Sequence, residues 1–184
     1  MTLAHLPRRR VLLAAIGLPV VAALPGCAAV DPRVYARDQP ALDLKRYFDG
    51  MLDGWGMVQD RFGKVLRRFT VTMQASWQGD TGTLDEAFAW SDGERQRRVW
   101  TLRAQPAGRY IGTAADVIGE AIGHAAGNAL NWRYAMAVPV GGRVLEVDFD
   151  DWMFLVDEKV LLNRATMSKF GIRLGEVTLS LTRR

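Results

Sequence analysis

The chain has 184 residues, with 24 Lys and Arg against 20 Asp and Glu, two histidines and a single cysteine. Three of the basic residues, Arg8, Arg9 and Arg10, open an apolar run, and without them the balance is 21 basic to 20 acidic. A charge argument for nucleic-acid binding therefore fails, an internal disulfide is excluded, and a zinc site built on Cys and His has too few ligands.

Behind the arginines an apolar stretch runs from Val11 to Leu24 and closes on Leu24-Pro25-Gly26-Cys27. Its length, about 14 residues, falls short of the roughly 20 that span a bilayer. Pro19 and Pro25 also work against a spanning helix. A basic start, an apolar core and a small residue before the cut make a secretory leader. Cys27 directly after that small residue resembles the lipobox of bacterial lipoproteins. The resemblance implies cleavage before Cys27, lipidation of that cysteine and a durable membrane anchor, since each buried methylene contributes ~0.8 kcal/mol. Ala28 and Ala29 follow with no aspartate, which by the same resemblance implies the outer membrane, periplasmic side. The expected organisation is a signal peptide over 1–26, a lipidated flexible tether over 27–41 and one domain over 42–184. That length supports one packed core and is too short for two.

Leu42 to Phe48 reads as a short helix or turn. From Gly54 onward the pattern changes, and Phe69, Val71, Met73, Ala75 and Trp77 alternate with polar residues, the period of a half-buried strand. Leu84, Glu86, Phe88 and Trp90 continue the alternation after a turn at Gly79-Asp80. Asp92-Gly93 is a tight-hairpin signal, and the returning strand carries Arg98, Trp100 and Leu102. Pro106-Ala107-Gly108 turns into Tyr110-Ile111. Trp132, Tyr134, Met136 and Val138 form the next strand, followed by a turn at Gly141-Gly142. Val144 to Asp150, Trp152 to Val156, Leu161 to Met167 and Ile172 to Leu181 complete the series. Gly112 to Ala129 is rich in Gly and Ala; two bent strands are the preferred reading and a short helix the alternative.

Short segments joined by turns, with no long helix between them, predict an all-β antiparallel meander. A meander this long removes its edges by closing, so the expected fold is an up-and-down, lipocalin-like (calycin-like) barrel of about 8–10 strands. Gly54-Trp55 resembles the Gly-x-Trp neighbourhood at the plugged end of lipocalin barrels, with the two residues adjoining rather than spaced.

Catalytic and metal motifs are sparse. His124 is the only histidine beyond the leader, and Asp148, Asp150, Asp151, Asp157 and Glu158 lack the glycine and terminal glutamate of a calcium loop. There is no Gly-x-Ser-x-Gly elbow and no phosphate loop. Neither a cofactor nor a metal is expected. Arg95, Arg97, Arg98 and Arg103 read as a solvated face. Trp100 and Trp132 are candidates to line a ligand pocket. Arg133 and Asn131 share the strand face opposite Trp132 and Tyr134. Pointing inward, Arg133 offers an anion site; pointing outward, it is solvated. The pattern leaves both open.

Several stretches are similar to the bacterial lipoprotein family known as domain of unknown function 3833. They are Gly50 to Asp60, Arg67-Arg68-Phe69, Ser91-Asp92-Gly93-Glu94, Arg98-Val99-Trp100, Gly127 to Tyr134, Asp150-Asp151-Trp152-Met153, Asn163-Arg164 and Met167 to Gly171. The resemblance implies a lipidated, single-domain envelope protein with a lipocalin-like fold and no assigned activity. Within those stretches Asn128, Asn131, Asp150, Asp151, Asn163 and Lys169 form a polar set that either lines a pocket or pins barrel corners and turns. Asn128, Asn131, Asp151, Asn163 and Lys169 from that set, with Tyr134, Trp152 and Arg133 beside them, are the further candidates for a ligand pocket. The expected function is a non-enzymatic carrier of an apolar or amphiphilic small molecule or lipid. Alternatives are a structural lipoprotein of an envelope complex, or a lipid-directed enzyme using Asp150, Asp151 and Lys169.

Overall fold

A computed structural model describes residues 29–184. The leader and Cys27, with the predicted lipid attachment, lie outside the described residues. Ten antiparallel strands follow one another around a closed barrel. They are β1 (Gly50–Asp60), β2 (Val65–Gln78), β3 (Thr81–Trp90), β4 (Arg95–Ala104), β5 (Arg109–Thr113), β6 (Val117–Ala126), β7 (Ala129–Val140), β8 (Arg143–Leu155), β9 (Val160–Lys169) and β10 (Ile172–Arg183). Each strand pairs with its sequence neighbours, and β1 closes the ring against β10 from Leu52↔Arg183 to Asp60↔Gly175. The predicted fold is therefore found, with strand number at the upper bound.

Two differences from the sequence reading are informative. The meander begins one strand earlier than the alternation announces, because β1 presents Leu52, Gly54, Gly56 and Val58 to the interior and glycine carries no hydrophobic signal. Both glycines are close approaches: a Cβ on Gly54 would lie 2.7 Å from Val71 Cγ1, and one on Gly56 2.3 Å from Phe69 Cζ. The segments 144–150 and 152–156 are one unbroken strand, β8.

The Gly- and Ala-rich segment forms β5 and β6, not a helix. Its glycines seat an aromatic ring. A Cβ on Gly112 would lie 2.5 Å from Trp132 Cζ2, and one on Gly123 2.2 Å from Trp132 Cε3. The indole thus lies flat against the wall instead of standing across the lumen.

One end of the barrel is plugged by a helical turn, α1 (Leu44–Tyr47), capped by Asp43, whose carboxylate accepts from the Lys45 and Arg46 amides. Leu44, Tyr47 and Phe48 are all buried. The Tyr47 hydroxyl reaches the Lys159 (3.0 Å) and Leu181 (3.1 Å) carbonyls, and Trp77 Nε1 donates to the Phe48 carbonyl at 2.9 Å. This plug does the work expected of the Gly54-Trp55 pair. Trp55 itself points outward and is 56% exposed.

The residues expected to form a loose tether are docked from Asp31 onward. A 3-10 turn, Pro32–Tyr35, starts on the Asp31 cap and lies against the outer wall near the plugged end. Tyr35 packs edge-on to Trp152 (5.8 Å) and Phe154 (5.1 Å), which face out of the barrel. Gly127 makes this possible. Its φ of +54° suits glycine, and a Cβ there would sit 1.7 Å from the Tyr35 carbonyl oxygen. The Leu42 amide donates to the Gly127 carbonyl at 2.8 Å. Gly127→Ala is expected to lift this strap and cost about 1–3 kcal/mol. Urea unfolding reads the stability, and limited proteolysis reads new cleavage after Arg33 or Arg37.

Candidate functional site

Ten strands enclose more space than side chains fill, since about eight already give an interior just wide enough for them. The surplus here is a cavity of about 770 Å³ inside the barrel. It ends on Leu44 and Phe48 of the plug and runs to Leu66, Arg67, Glu94 and Val140 at the opposite, open end. Its walls are apolar and aromatic. Trp100 stands edge-on to Trp132 (5.9 Å) and Tyr134 (5.4 Å), and Tyr134 stacks on Phe149 at 4.9 Å.

A polar cluster interrupts this wall. Arg98 on β4 donates from Nε to Asp116 Oδ2 at 2.9 Å. Its Nη1 lies 3.7 Å from Glu86 Oε2 on β3, and only 17% of the Arg98 side chain is exposed. Register places Glu86 directly opposite Arg98, and the guanidinium also sits over the Phe88 ring at 5.5 Å. One cation is thus shared by two carboxylates, and Glu86 Oε2 is buried with no hydrogen-bond partner. Across the lumen Asp151 is buried and accepts from the Asn163 amide.

These environments shift the acids. Burial pushes the Glu86 carboxyl up to about 7 against the pull of Arg98, and nearby Asp116 and Asp151 add to the rise. Burial likewise pushes Asp151 up to about 7, opposed by the Asn163 hydrogen bond. Burial holds the Tyr134 phenol well above its ordinary value.

Of the predicted site residues, Trp100, Trp132, Tyr134, Asp151 and Asn163 line the cavity. The others do not. Asn128 sits in the β6–β7 turn, its amide donating to the Leu155 carbonyl at 3.3 Å. Asn131 and Arg133 face outward, and both donate to Asp150 Oδ1, at 2.6 and 3.2 Å. That decides the open question: Arg133 is an outer-wall residue paired across strands, and it provides no internal anion site. Trp152 faces out beneath Tyr35. Lys169 lies at the rim, its ammonium donating to the Glu146 carbonyl at 2.8 Å. Asp150 and Asp151 point to opposite faces of β8, so Asp150, Asp151 and Lys169 do not converge on one site.

The sequence reading missed Glu86 and Asp116 and assigned Arg98 to solvent. The signal was present in the phase of the alternation. Glu86 shares its face with Leu84 and Phe88, Arg98 with Trp100 and Leu102, and Asp151 with Phe149 and Met153. A charge in phase with aromatics is a charge inside.

The two raised carboxyls set a pH dependence whose sign is fixed. Between their unfolded values near 4 and their folded values near 7 the native state holds protons that the unfolded chain releases. Stability therefore falls with rising pH across that window and levels off above it. Unfolding free energies from urea titrations are expected to decline between pH 5 and pH 8, by a few kcal/mol in all. Glu86→Gln combined with Asp151→Asn should flatten the slope; an unchanged slope would assign it to other groups.

No curated protein matches the chain. Among solved structures, EF1p2_mFAP2b bound to DFHBI is similar at 10% identity over 77% of this chain and 100% of that one, with a TM-score of 0.43. At that level the similarity carries no conclusion about ligand or activity. The family model described as "Protein of unknown function (DUF3833)" matches residues 21–183. The chain belongs to that family.

Proposed function

We propose that this protein is a non-catalytic carrier that holds one amphiphilic small molecule or lipid in the barrel. The single observation behind the reading is the cavity, about 770 Å³ with an apolar, aromatic wall and one polar cluster. Ligand sites commonly enclose roughly 300–1,000 Å³ with a few convergent polar groups. The cluster also favours one kind of polar end. Arg98 is already engaged by Glu86 and Asp116, so a bare carboxylate or phosphate gains no free cation there, and Asp151 is a further acid in the same lining. The unpartnered Glu86 oxygen calls instead for a donor such as a hydroxyl, an amide N–H or an amine. The second part of the proposal is location: the leader and Cys27 support a lipid-anchored protein at the outer membrane, facing the periplasm.

Native mass spectrometry of the protein purified gently from membranes tests the carrier reading, with added hexadecanol and hexadecanoate as probes. A one-to-one complex is expected, with the alcohol preferred at neutral pH. Ala165→Phe, which puts a ring into the lumen without altering the outer surface, should weaken binding about ten-fold or more. Absence of any complex with the folded wild-type protein sinks the carrier reading. Equal retention of alcohol and acid sinks only the assignment of the polar end.

A further inference from the structure

Exposed apolar side chains on this protein are not evenly scattered. Among the described residues, eight of the fifteen large ones lie on three hairpins at the open end, β1–β2, β7–β8 and β9–β10. Those hairpins are neighbours around the ring, because β8 pairs with β9 and β10 with β1. The eight therefore form one arc along the mouth, including Leu66, Val140, Val144 and Ile172, with Phe62 and Phe170 at two turn tips. Phe62 is 81% exposed and Phe170 is 87% exposed. The other seven lie off these three hairpins, and exposed apolar residues of that kind are ordinary on a protein surface.

The charge on the arc is one-sided. Residues 60–66, 139–144 and 168–174 carry Arg61, Lys64, Arg143, Lys169 and Arg173 against Asp60 alone. Asp60 is spent inside its own turn, where it accepts from the Phe62 and Lys64 amides. Arg173 is paired with Glu176, whereas Arg61, Lys64, Arg143 and Lys169 enter no ion pair among the described residues. At both tips a cation lies over the exposed ring: Arg61 over Phe62 at 4.8 Å and Lys169 over Phe170 at 4.6 Å. The β3–β4 hairpin adjoins the arc beside β2, and its two carboxylates, Asp92 and Glu94, are both paired with Arg67.

Phe170 adds a separate observation. Its φ is +51°, a conformation that bulky side chains rarely adopt. The ring is almost wholly in solvent, so packing within the barrel does not explain a phenylalanine at this turn position. Such strain at a tip points toward a use outside the fold.

We infer that the mouth is a membrane-docking face, in which the Phe62 and Phe170 tips enter the interface of an anionic lipid bilayer while Arg61, Lys64, Arg143 and Lys169 meet its headgroups. Aromatic and aliphatic tips flanked by basic residues are the combination that binds reversibly to anionic interfaces. Docked this way, the cavity opens onto the lipid surface. The inference does not require the cavity to be occupied.

The test uses the full chain with Cys27→Ser, which removes the only thiol, and Phe170→Cys to carry a single nitrobenzoxadiazole label. The probes are vesicles of phosphatidylcholine with and without phosphatidylglycerol. Label emission is expected to rise about three-fold or more with the anionic vesicles, and to be quenched by nitroxide-bearing lipid there. Adding Phe62→Ser, or Arg61→Glu with Lys64→Glu, should weaken the response about ten-fold, and salt should reduce it. Because the label reports only on the rim, attachment through the leader leaves it dark. An unresponsive label on protein with native circular dichroism overturns the proposal, as does an equal response to vesicles lacking phosphatidylglycerol.

Discussion

The meeting of β1 with β10 governs the rest of the structure. A sheet of ten strands has edge amides and carbonyls to hide, and this ring hides them in one another with nine paired positions across the closure. Once closed, the sheet has only an inside and an outside, and every residue is assigned to one by the phase of its strand. The perimeter of ten strands then sets a lumen larger than its side chains fill, with α1 sealing one end. The cavity follows from strand number and closure and needs no single pocket-forming residue.

Within that lumen the polar cluster is the costly element. Placing Arg98, Glu86, Asp116 and Asp151 among aromatic rings removes them from water, and such groups recover that loss only when paired and hydrogen-bonded. Three of them share contacts around one guanidinium, and Asp151 takes the Asn163 amide. The pairing is incomplete, with a Glu86 oxygen left over. Apolar residues of similar volume would serve packing better, which is why the cluster bears on function. Its arrangement also differs from the simplest expectation for a lipid carrier. Arg98 in the lumen and Arg67 at its mouth are both neutralised locally, and the other candidate, Arg133, stands on the outer wall.

The fold was legible from the sequence because the alternation from Phe69 to Leu181 is a direct image of the barrel wall. β1 was illegible for the converse reason: its inward positions include Gly54 and Gly56, which pack by being absent. The site was half legible. Trp100, Trp132 and Tyr134 follow from aromatic phase, and Asp151 and Asn163 from the family motifs. Asn128, Asn131 and Trp152 share those motifs but serve the β6–β7 turn and the seat of the N-terminal strap. Composition alone does not separate a polar residue that pins a corner from one that faces a ligand. Phase does, and the same rule places Glu86 and Arg98 inside. It fails where a covering segment buries an outward face, as Tyr35 does over Trp152 and Phe154, and on β1, where Asp53 and Trp55 share the outer face.

The pairing of the first strand with the last has a temporal side. Until residues 172–183 have left the ribosome, β1 has one partner and the sheet keeps two open margins. Contacts that join the ends of a chain are slow to form, because the intervening loop must be closed before they stabilise anything. Assembly therefore waits for the complete polypeptide. Truncation by even the final dozen residues would leave a ribbon able to zip onto a second copy of itself.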